Sequence, residues 1–246
     1  MTDLTERFAR EAPSGHPNVT PRDAATLILL DRSGKIPKVL MGRRHHGHVF
    51  LPGRFVFPGG AVDPRDRLMT FGSPLDPRAE GRLMSLVKRP TAAKARALAM
   101  TAIRETFEET GLLLGSKRDD APKVPAGALD SPWAAFAEHK VHPDLSGIHF
   151  IARAVTPPRR ARRYDTRFFT ADASTIAHRI DGVVGPEAEL VELVWIPLDE
   201  AKSLELMAIT EIVLETLREQ IAAGFSHDLP VPFHRMIRGR RMQDLL

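Results

Sequence analysis

Cysteine is absent from the 246-residue chain, which excludes a disulfide framework, a thiol nucleophile and any metal site that uses cysteine. Aromatic residues make up only 6% of the sequence, and no stretch approaches the 18 or so consecutive apolar residues that a membrane-spanning helix needs. The first residues, MTDLTERFAREAPSGHP, contain no apolar core of signal-peptide length. We therefore expect a cytoplasmic protein that does not enter a membrane.

Basic residues slightly outnumber acidic ones, 35 to 31, and the formal net charge is +4. The excess is concentrated at four places: Arg43-Arg44, Arg159-Arg160, Arg162-Arg163 and the tail from Arg235 to Arg241. A basic cleft would favour an anionic ligand such as a phosphate ester. No helical pattern carries a basic stripe with interleaved aromatic residues, so nucleic acid is not an expected partner.

The order of the predicted elements indicates an α/β fold with a mixed sheet. Residues 24–31 (AATLILLD) have the pattern of a buried strand, and residues 38–44 (KVLMGRR) that of its antiparallel partner. Further strands are predicted over 147–155, 166–172 and 189–198, and helices over 78–88, 91–111, 132–140 and 212–224. This irregular alternation favours helices packed on a mixed sheet over a doubly wound parallel fold. We expect a flexible N-terminal arm over 1–22 and one domain over 23–246, with a polar insert at 65–92.

Three glutamates lie close together near the end of the helix predicted over 91–111. At about 100° per residue, Glu105, Glu108 and Glu109 fall within an arc of roughly 100° on one side of that helix. Another face carries the apolar residues expected to pack on the sheet: Ala99, Ile103 and Phe107. The three acids repel one another and oppose the helix dipole, so a solvated acidic face is the less favoured interpretation. A hard cation such as Mg²⁺, which binds carboxylates and is commonly shared with a substrate phosphate, would compensate both effects.

The same segment resembles a known family motif. Residues 104–112, R-E-T-F-E-E-T-G-L, resemble the second half of the Nudix box, G-x5-E-x7-R-E-U-x-E-E-x-G-U, in which U is aliphatic. Upstream, Phe57-Pro58-Gly59-Gly60 resembles the start of the box. The resemblance extends over residues 22–240 and implies an α/β/α sandwich that hydrolyses a nucleoside diphosphate linked to another group, with Mg²⁺ or Mn²⁺ as cofactor.

Three departures from the motif stand out. Thr106 occupies a usually aliphatic position, and Arg104 follows Gly60 by 44 positions instead of 14, which implies an insert of 30 residues. The first glutamate of the box has no clear occupant. Counting forward from Gly60 gives Asp66, an acid of the insert such as Glu80 is an alternative, and a third alternative is that nothing replaces it.

The resemblance implies a role for individual residues. Glu105, Glu108 and Glu109 would hold the cation together with the carbonyl of Gly59, and Arg104 would orient the glutamates by ion pairing. The family uses either a box glutamate or an acid on a later loop as general base. We take Glu189 as this base, with Glu187 as the neighbouring candidate. The catalytic set implied by the resemblance is therefore Arg104, Glu105, Glu109 and Glu189.

The substrate class is also suggested by resemblance. The segments G-R-F-V-F-P-G-G-A-V-D, R-R-Y-D-T-R-F-F and P-V-P-F-H look like the coenzyme A diphosphatase type, although Gly42, His45 and Val49 depart from its signature. This implies cleavage of coenzyme A or acyl-CoA into 3′,5′-ADP and (acyl)phosphopantetheine. The residues expected to bind the substrate are Arg44, Phe57, Gly60 and Arg163. Alternatives are hydrolysis of ADP-ribose, NADH or dinucleoside polyphosphates, or a non-catalytic nucleotide-sensing module. The sequence leaves the oligomeric state open, with a homodimer as one expectation.

Overall fold

The computed structural model describes residues 15–45, 47, 53–128 and 130–246. The first 14 residues of the expected N-terminal arm lie outside this part of the chain. The helices are α1 (Pro77–Met84), α2 (Ala92–Thr110), α3 (Trp133–Glu138) and α4 (Ala208–Ala222). The strands are β1 (Arg22–Asp31), β2 (Lys38–Arg44), β3 (Phe55–Val56), β4 (Gly59–Ala61), β5 (Leu112–Leu114), β6 (Ser116–Lys117), β7 (Val141–His142), β8 (His149–Val155), β9 (Tyr164–Asp172), β10 (Ile176–Arg179), β11 (Leu190–Pro197), β12 (Pro232–Ile237) and β13 (Arg240–Leu245).

Nine of the described strands form one mixed sheet. Its order is β11-β2-β1-β9-β8-β12-β13, with β3 added to β2 and β4 added to β1. The central strand β1 runs parallel to β9 and antiparallel to β2 and β4. The remaining strands pair as β5–β10 and β6–β7. The predicted α/β class with a mixed sheet is therefore confirmed.

Strand β1 is buried on both faces, which explains its continuous apolar sequence. Leu27 and Leu29 belong to the core cluster that contains Ile103 of α2. The alternate residues Ile28 and Leu30 belong to a second cluster that contains residues of α4. Successive side chains of a strand point to opposite faces, so both sets must be apolar when helices cover both sides. The result is three layers, with α2 and α4 on opposite faces of the sheet.

The longest helix, α2, starts and ends at residues suited to those positions. The Thr91 side chain accepts a hydrogen bond from the backbone N–H of Lys94 and caps the first turn. Gly111 ends the helix with φ of 75°, in the left-handed region that favours glycine. A Cβ at Gly111 would lie 2.2 Å from the carbonyl oxygen of Ile180, whose N–H donates to the Gly111 carbonyl at 2.9 Å. The loop after β10 is thus held against the end of α2.

Several features differ from the predicted elements. The short strands β3, β4, β5, β6, β7 and β10 were not predicted, and α4 begins at Ala208, before the predicted start at 212. The helix expected over 78–88 spans only Pro77–Met84, because Ser85 is extended and Leu86 has a positive φ of 53°. The C-terminal hairpin of β12 and β13 has no counterpart among the predicted strands. No helix in the part of the chain that the structure describes is long and apolar enough to cross a membrane.

Because His234 is buried, we expect the protein to lose stability in acid. His234 is 7% exposed in β12, and neither ring nitrogen has a hydrogen-bond partner. Burial, together with a smaller contribution from the charge of Arg241, lowers the pKa of His234 to about 4. The unfolded chain, with a histidine pKa of about 6.5, therefore takes up the proton first, and stability falls as the pH drops from about 6.5 towards 4.

At about pH 4.5 this one group should reduce the free energy of unfolding by roughly 2 kcal/mol relative to neutral pH. Urea unfolding of the wild type and of His234→Leu at both pH values measures the difference. The carboxylates contribute equally to both proteins, so the wild type should lose about 2 kcal/mol more than the variant. Equal losses in the two proteins would contradict the prediction.

Candidate active site

Asp66 is the buried anchor of the site. Its side chain is fully buried, and its two oxygens accept hydrogen bonds from Nε and Nη2 of Arg104 at 2.8 and 3.1 Å. They also accept from the Thr101 hydroxyl at 2.7 Å, the Trp133 indole N–H at 3.1 Å and the backbone N–H of Asp63 at 3.0 Å. Five donors, three from α2, one from Trp133 of α3 and one from Asp63, leave the carboxylate little freedom to rotate. Asp66 therefore fixes the plane of the Arg104 guanidinium.

The position of Asp66 bears on the missing first glutamate of the box. Asp66 lies in a 3-10 helix (Pro64–Arg67) six residues after Gly60, where the motif places its first acid. Glu80, the alternative acid, lies in α1 and pairs with Arg96 at 3.3 Å. Of the two acids that the sequence left open, only Asp66 contacts Arg104.

Arg104 connects Asp66 to two of the helix glutamates. Its Nη1 donates to Glu105 at 2.8 Å and to Glu108 at 3.0 Å, while Nη2 donates to the carbonyl of Ala61 at 3.0 Å. Burial lowers the pKa of Arg104, but the hydrogen bond and charge of Asp66 and the charges of both glutamates raise it above its usual value. The guanidinium therefore stays charged, and its contacts are those expected of a residue that orients the glutamates.

Two glycines bring the backbone of β4 against these carboxylates. A Cβ at Gly60 would lie 2.5 Å from the carboxylate carbon of Glu105. Gly59 pairs with Thr26 of β1, and a Cβ there would lie 2.6 Å from the Ala25 carbonyl oxygen. Gly60 is therefore required by the close approach of a functional side chain, whereas Gly59 is required by the packing of two strands.

Glu109 lies inside the protein. It is 6% exposed, and its Oε2 is buried with no hydrogen-bond partner. Burial raises the pKa of Glu109 well above its usual range, and the charges of Glu189 and Glu105 raise it further, while Arg44 and the backbone N–H of Gly59 act in the opposite direction. A solvated acidic face, the alternative raised by the sequence, does not describe this residue.

Glu105 and Glu108 differ from each other in exposure. Burial raises the pKa of Glu105 to about 7, against the opposing charge of Arg104 and with a further contribution from Glu108. Glu108 keeps 34% of its side chain exposed. The helix therefore presents one buried carboxylate, one partly buried carboxylate and a third at the rim, and burial disfavours the ionised form of the first two.

A fourth carboxylate comes from a distant loop. Glu189 precedes β11, and its Oε1 lies 3.1 Å from Nη2 of Arg44 in β2. The Glu189 carbonyl also accepts a hydrogen bond from the His45 N–H at 3.2 Å. The Nε of Arg44 is buried without a partner. Arg44 contacts Glu189 directly, and the charges of both act on the pKa of Glu109 in opposite directions, so these three predicted residues form one electrostatic group. Glu187 and Glu189 are both exposed.

Two residues expected to bind substrate have other contacts. Phe57 is 7% exposed and packs in the core cluster that includes Ile28. Arg163 donates to the Asn18 side chain and the Val19 carbonyl at 2.7 Å, and to the Thr156 carbonyl at 3.0 Å. These contacts hold the segment before β1 and the end of β8. None of these contacts of Phe57 and Arg163 involves Glu105, Glu108 or Glu109.

The oxygen atoms of the α2 glutamates and of the β4 backbone are suitable ligands for a hard divalent cation. The buried Oε2 of Glu109 lacks any donor, and burial raises the pKa values of both Glu105 and Glu109. A bound cation would stabilise the ionised form of each carboxylate. Carboxylate and backbone carbonyl oxygens are the donors that Mg²⁺ and Mn²⁺ prefer. Across the described ranges, no three acidic or histidine side chains are already arranged as a metal site. Glu105 and Glu108 contact Arg104 instead.

Comparison with known proteins identifies the family. No family model matches the chain. A crystal structure of a NUDIX hydrolase from Alicyclobacillus acidocaldarius is 33% identical, with a TM-score of 0.57, over 80% of this chain and 90% of that one. This chain therefore belongs to the Nudix hydrolase family.

Two other solved structures are more distant. The NUDIX domain of Shewanella oneidensis NrtR, complexed with ADP ribose, is 18% identical with a TM-score of 0.44, over 88% of this chain and 97% of that one. An Ap4A hydrolase from C. elegans is 14% identical with a TM-score of 0.42, over 82% of this chain and 99% of that one. Similarity at this level does not bear on the substrate.

Proposed function

We propose that this protein hydrolyses the diphosphate linkage of a nucleoside diphosphate joined to another group, with Mg²⁺ or Mn²⁺ as cofactor. The observation that carries the proposal is the buried Glu109, whose Oε2 has no partner and whose pKa is raised by burial and by the charges of Glu189 and Glu105. A buried carboxylate oxygen without a donor is costly unless a cation binds it. A purely structural role for Glu109 would leave this oxygen uncompensated.

The box residues divide into ligands and a positioning residue. Glu105, Glu108 and Glu109 would hold the cation with the carbonyl of Gly59, and Arg104, fixed by Asp66, sets the orientation of Glu105 and Glu108. When bound, the cation supplies charge neutralisation of the diphosphate and acidifies a water molecule. Gly60 lets the Glu105 carboxylate lie against β4 because it has no Cβ.

Glu189 is our choice for the general base. It is 42% exposed, so it can reach both solvent and substrate, and it lies near enough to Glu109 to influence its pKa. The ion pair with Arg44 holds its carboxylate in place. In the reaction, the water oxygen forms a bond to one phosphorus, Glu189 takes the water proton, and the bond from that phosphorus to the bridging oxygen breaks. The products are two phosphate monoesters.

Coenzyme A or acyl-CoA is the substrate that we propose first. The support is the resemblance of three segments to the coenzyme A diphosphatase type and the position of Arg44 beside Glu189, because the 3′-phosphate of coenzyme A calls for additional positive charge. Arg44 and Arg43 lie on β2, where they already pair with Glu189 and Glu192. The insert expected over 65–92 follows β4 directly and would help to select the substrate. ADP-ribose, NADH and dinucleoside polyphosphates are the alternatives.

A substrate panel tests this proposal. The protein is incubated with Mg²⁺ or Mn²⁺ and with coenzyme A, acetyl-CoA, ADP-ribose, NADH or diadenosine polyphosphates, and the products are separated. We expect 3′,5′-ADP from coenzyme A at the highest kcat/KM. Faster turnover of ADP-ribose would overturn the assignment of coenzyme A as substrate but would still support the assignment as a hydrolase. Nucleotide binding without turnover of any compound would instead support a sensing module.

Glu109→Gln tests the ligand assignment. We expect metal-dependent turnover to fall at least ~100-fold, because the amide cannot replace a carboxylate ligand. The variant should remain folded and unfold at the same or a higher temperature, because the substitution removes an uncompensated buried charge. Titration with Mn²⁺, followed by calorimetry, gives a second readout, in which the variant should bind Mn²⁺ with lower affinity than the wild type. Glu187→Gln, on the exposed part of the neighbouring loop, is the control and should behave as wild type. An active Glu109→Gln protein would refute the assignment.

A further inference from the structure

The C-terminal strand β13 forms one end of the sheet. Its inner edge pairs with β12 in a continuous antiparallel register from Pro232↔Leu245 to Ile237↔Arg240. Among the residues that the structure describes, no strand pairs with its outer edge. Proline residues and β-bulges are two features by which proteins usually protect an edge strand from further pairing. Strand β13 contains neither.

The register shows which backbone groups point outward. Val231 and Leu246 exchange both backbone hydrogen bonds, N–H to O, at 3.3 and 2.9 Å. Hydrogen-bonded and non-hydrogen-bonded pairs alternate along an antiparallel ladder. The even-numbered residues of β13 therefore bond to β12, and the N–H and C=O groups of Arg241, Gln243 and Leu245 face the outer edge.

A second copy of the chain can pair with this edge only in certain registers. A two-fold axis perpendicular to the sheet keeps each residue on the same face in both copies. Residues that lie directly opposite each other across the two strands point to the same face of the sheet. The axis must therefore lie midway between the two copies of one residue, which we call an axis through that residue. An axis through Arg241 would place two arginines against each other, and an axis through Gln243 would place Met242 against Asp244.

An axis through Met242 gives complementary charges. Arg240 of each copy then lies opposite Asp244 of the other, which produces two intermolecular ion pairs of opposite charge. Arg241 lies opposite Gln243, and both have backbone groups that face the partner. The Asp244 carboxylate is already held at this strand by Arg235, at 2.9 Å. The two Met242 side chains meet on the axis.

The apolar side chains of the hairpin agree with this pairing. Met242 is 43% exposed, and Leu245 is 66% exposed. On the neighbouring strand β12, Met236 and Ile237 are also among the exposed large apolar residues. A single hairpin that exposes apolar side chains on both of its faces gains burial when a second sheet edge extends the surface. The charge pattern and the apolar pattern therefore favour the same partner.

We propose that two copies of this protein form a homodimer by antiparallel pairing of β13 with β13, centred on Met242. The two nine-stranded sheets then continue across the interface. The interface lies at the opposite end of the strand order from β11, which follows Glu189, so the candidate active sites stay outside it.

The test measures the molar mass of the full chain by light scattering after size exclusion and by sedimentation velocity. The wild type should have twice the 27.3 kDa mass of one chain. Arg240→Glu and Asp244→Arg should each have the mass of one chain, because each sets like charges opposite each other at both ends of the ladder. Arg238→Glu makes the same charge change in the hairpin turn, outside the ladder, and should remain a dimer.

Mixing the two charge variants gives the sharpest result. In a heterodimer of Arg240→Glu with Asp244→Arg, both cross-strand pairs carry opposite charges again, so an equimolar mixture should return to the mass of two chains. Gln243→Pro removes only an N–H that faces outward, so it should give folded single chains. Circular dichroism checks that each variant is folded. A wild type with the mass of one chain, variants that all stay dimeric, or a mixture that stays monomeric would overturn the proposal.

Discussion

Asp66→Asn should strongly reduce both stability and turnover. The substitution leaves the buried Arg104 guanidinium without its bidentate counter-charge and places an amide N–H₂ against donor groups. Loss of one partner of a buried ion pair typically costs about 3–5 kcal/mol. Urea unfolding measures this loss. Turnover measured where the variant is still folded should fall by at least ~100-fold, because Arg104 no longer holds Glu105 and Glu108 in place.

Glu80→Gln is the matched control for Asp66→Asn. Glu80 pairs with Arg96 at 3.3 Å in a partly exposed position, and pairs of this kind contribute about 0–1 kcal/mol. The control should therefore change stability little and leave turnover unchanged. If Glu80→Gln lost activity while Asp66→Asn kept it, Glu80 and not Asp66 would occupy the functional position of the first box glutamate.

Gly60→Ala should abolish most activity while the protein stays folded. The new Cβ would overlap the Glu105 carboxylate, at 2.5 Å from its carbon. That carboxylate is the end of a flexible side chain, so it can move away at a cost of about 1 kcal/mol. A displacement of about 1 Å in a catalytic group can reduce the rate on the order of 100-fold. Turnover and thermal unfolding, measured on the same preparation, separate the two effects.

Two other glycines serve as controls for Gly60→Ala. Gly59→Ala places its Cβ 2.6 Å from the Ala25 carbonyl oxygen and 2.8 Å from the Cα of Thr26, which are backbone atoms that cannot move aside. It should destabilise the sheet itself by several kcal/mol, on the order expected for overpacking. Gly81→Ala has no atom within 4 Å and lies inside α1, so it should stabilise by up to ~1 kcal/mol with unchanged turnover. A stable, fully active Gly60→Ala protein would contradict the predicted contact.

Local sequence patterns predicted the elements that carry the site. The apolar run of β1, the helix ending at Gly111 and the short helix near Trp133 were all predicted, because periodicity and capping are properties of neighbouring residues. The clustering of Glu105, Glu108 and Glu109 also followed from helical spacing alone. The C-terminal hairpin was not predicted. Its strands carry many exposed polar residues, so the alternating pattern that identifies a half-buried strand is weak there.

The sequence by itself determined the family motif, the mixed α/β class and the acids on α2, since each depends on residues close together in the chain. Only the tertiary structure decided between Asp66 and Glu80, because Asp66 meets Arg104 across 38 residues and Trp133 across 67. It also placed Glu189 and Arg44 beside Glu109 and buried that carboxylate. Burial and charge pairing between distant segments depend on how the layers pack. A local sequence pattern does not show which distant residues come into contact.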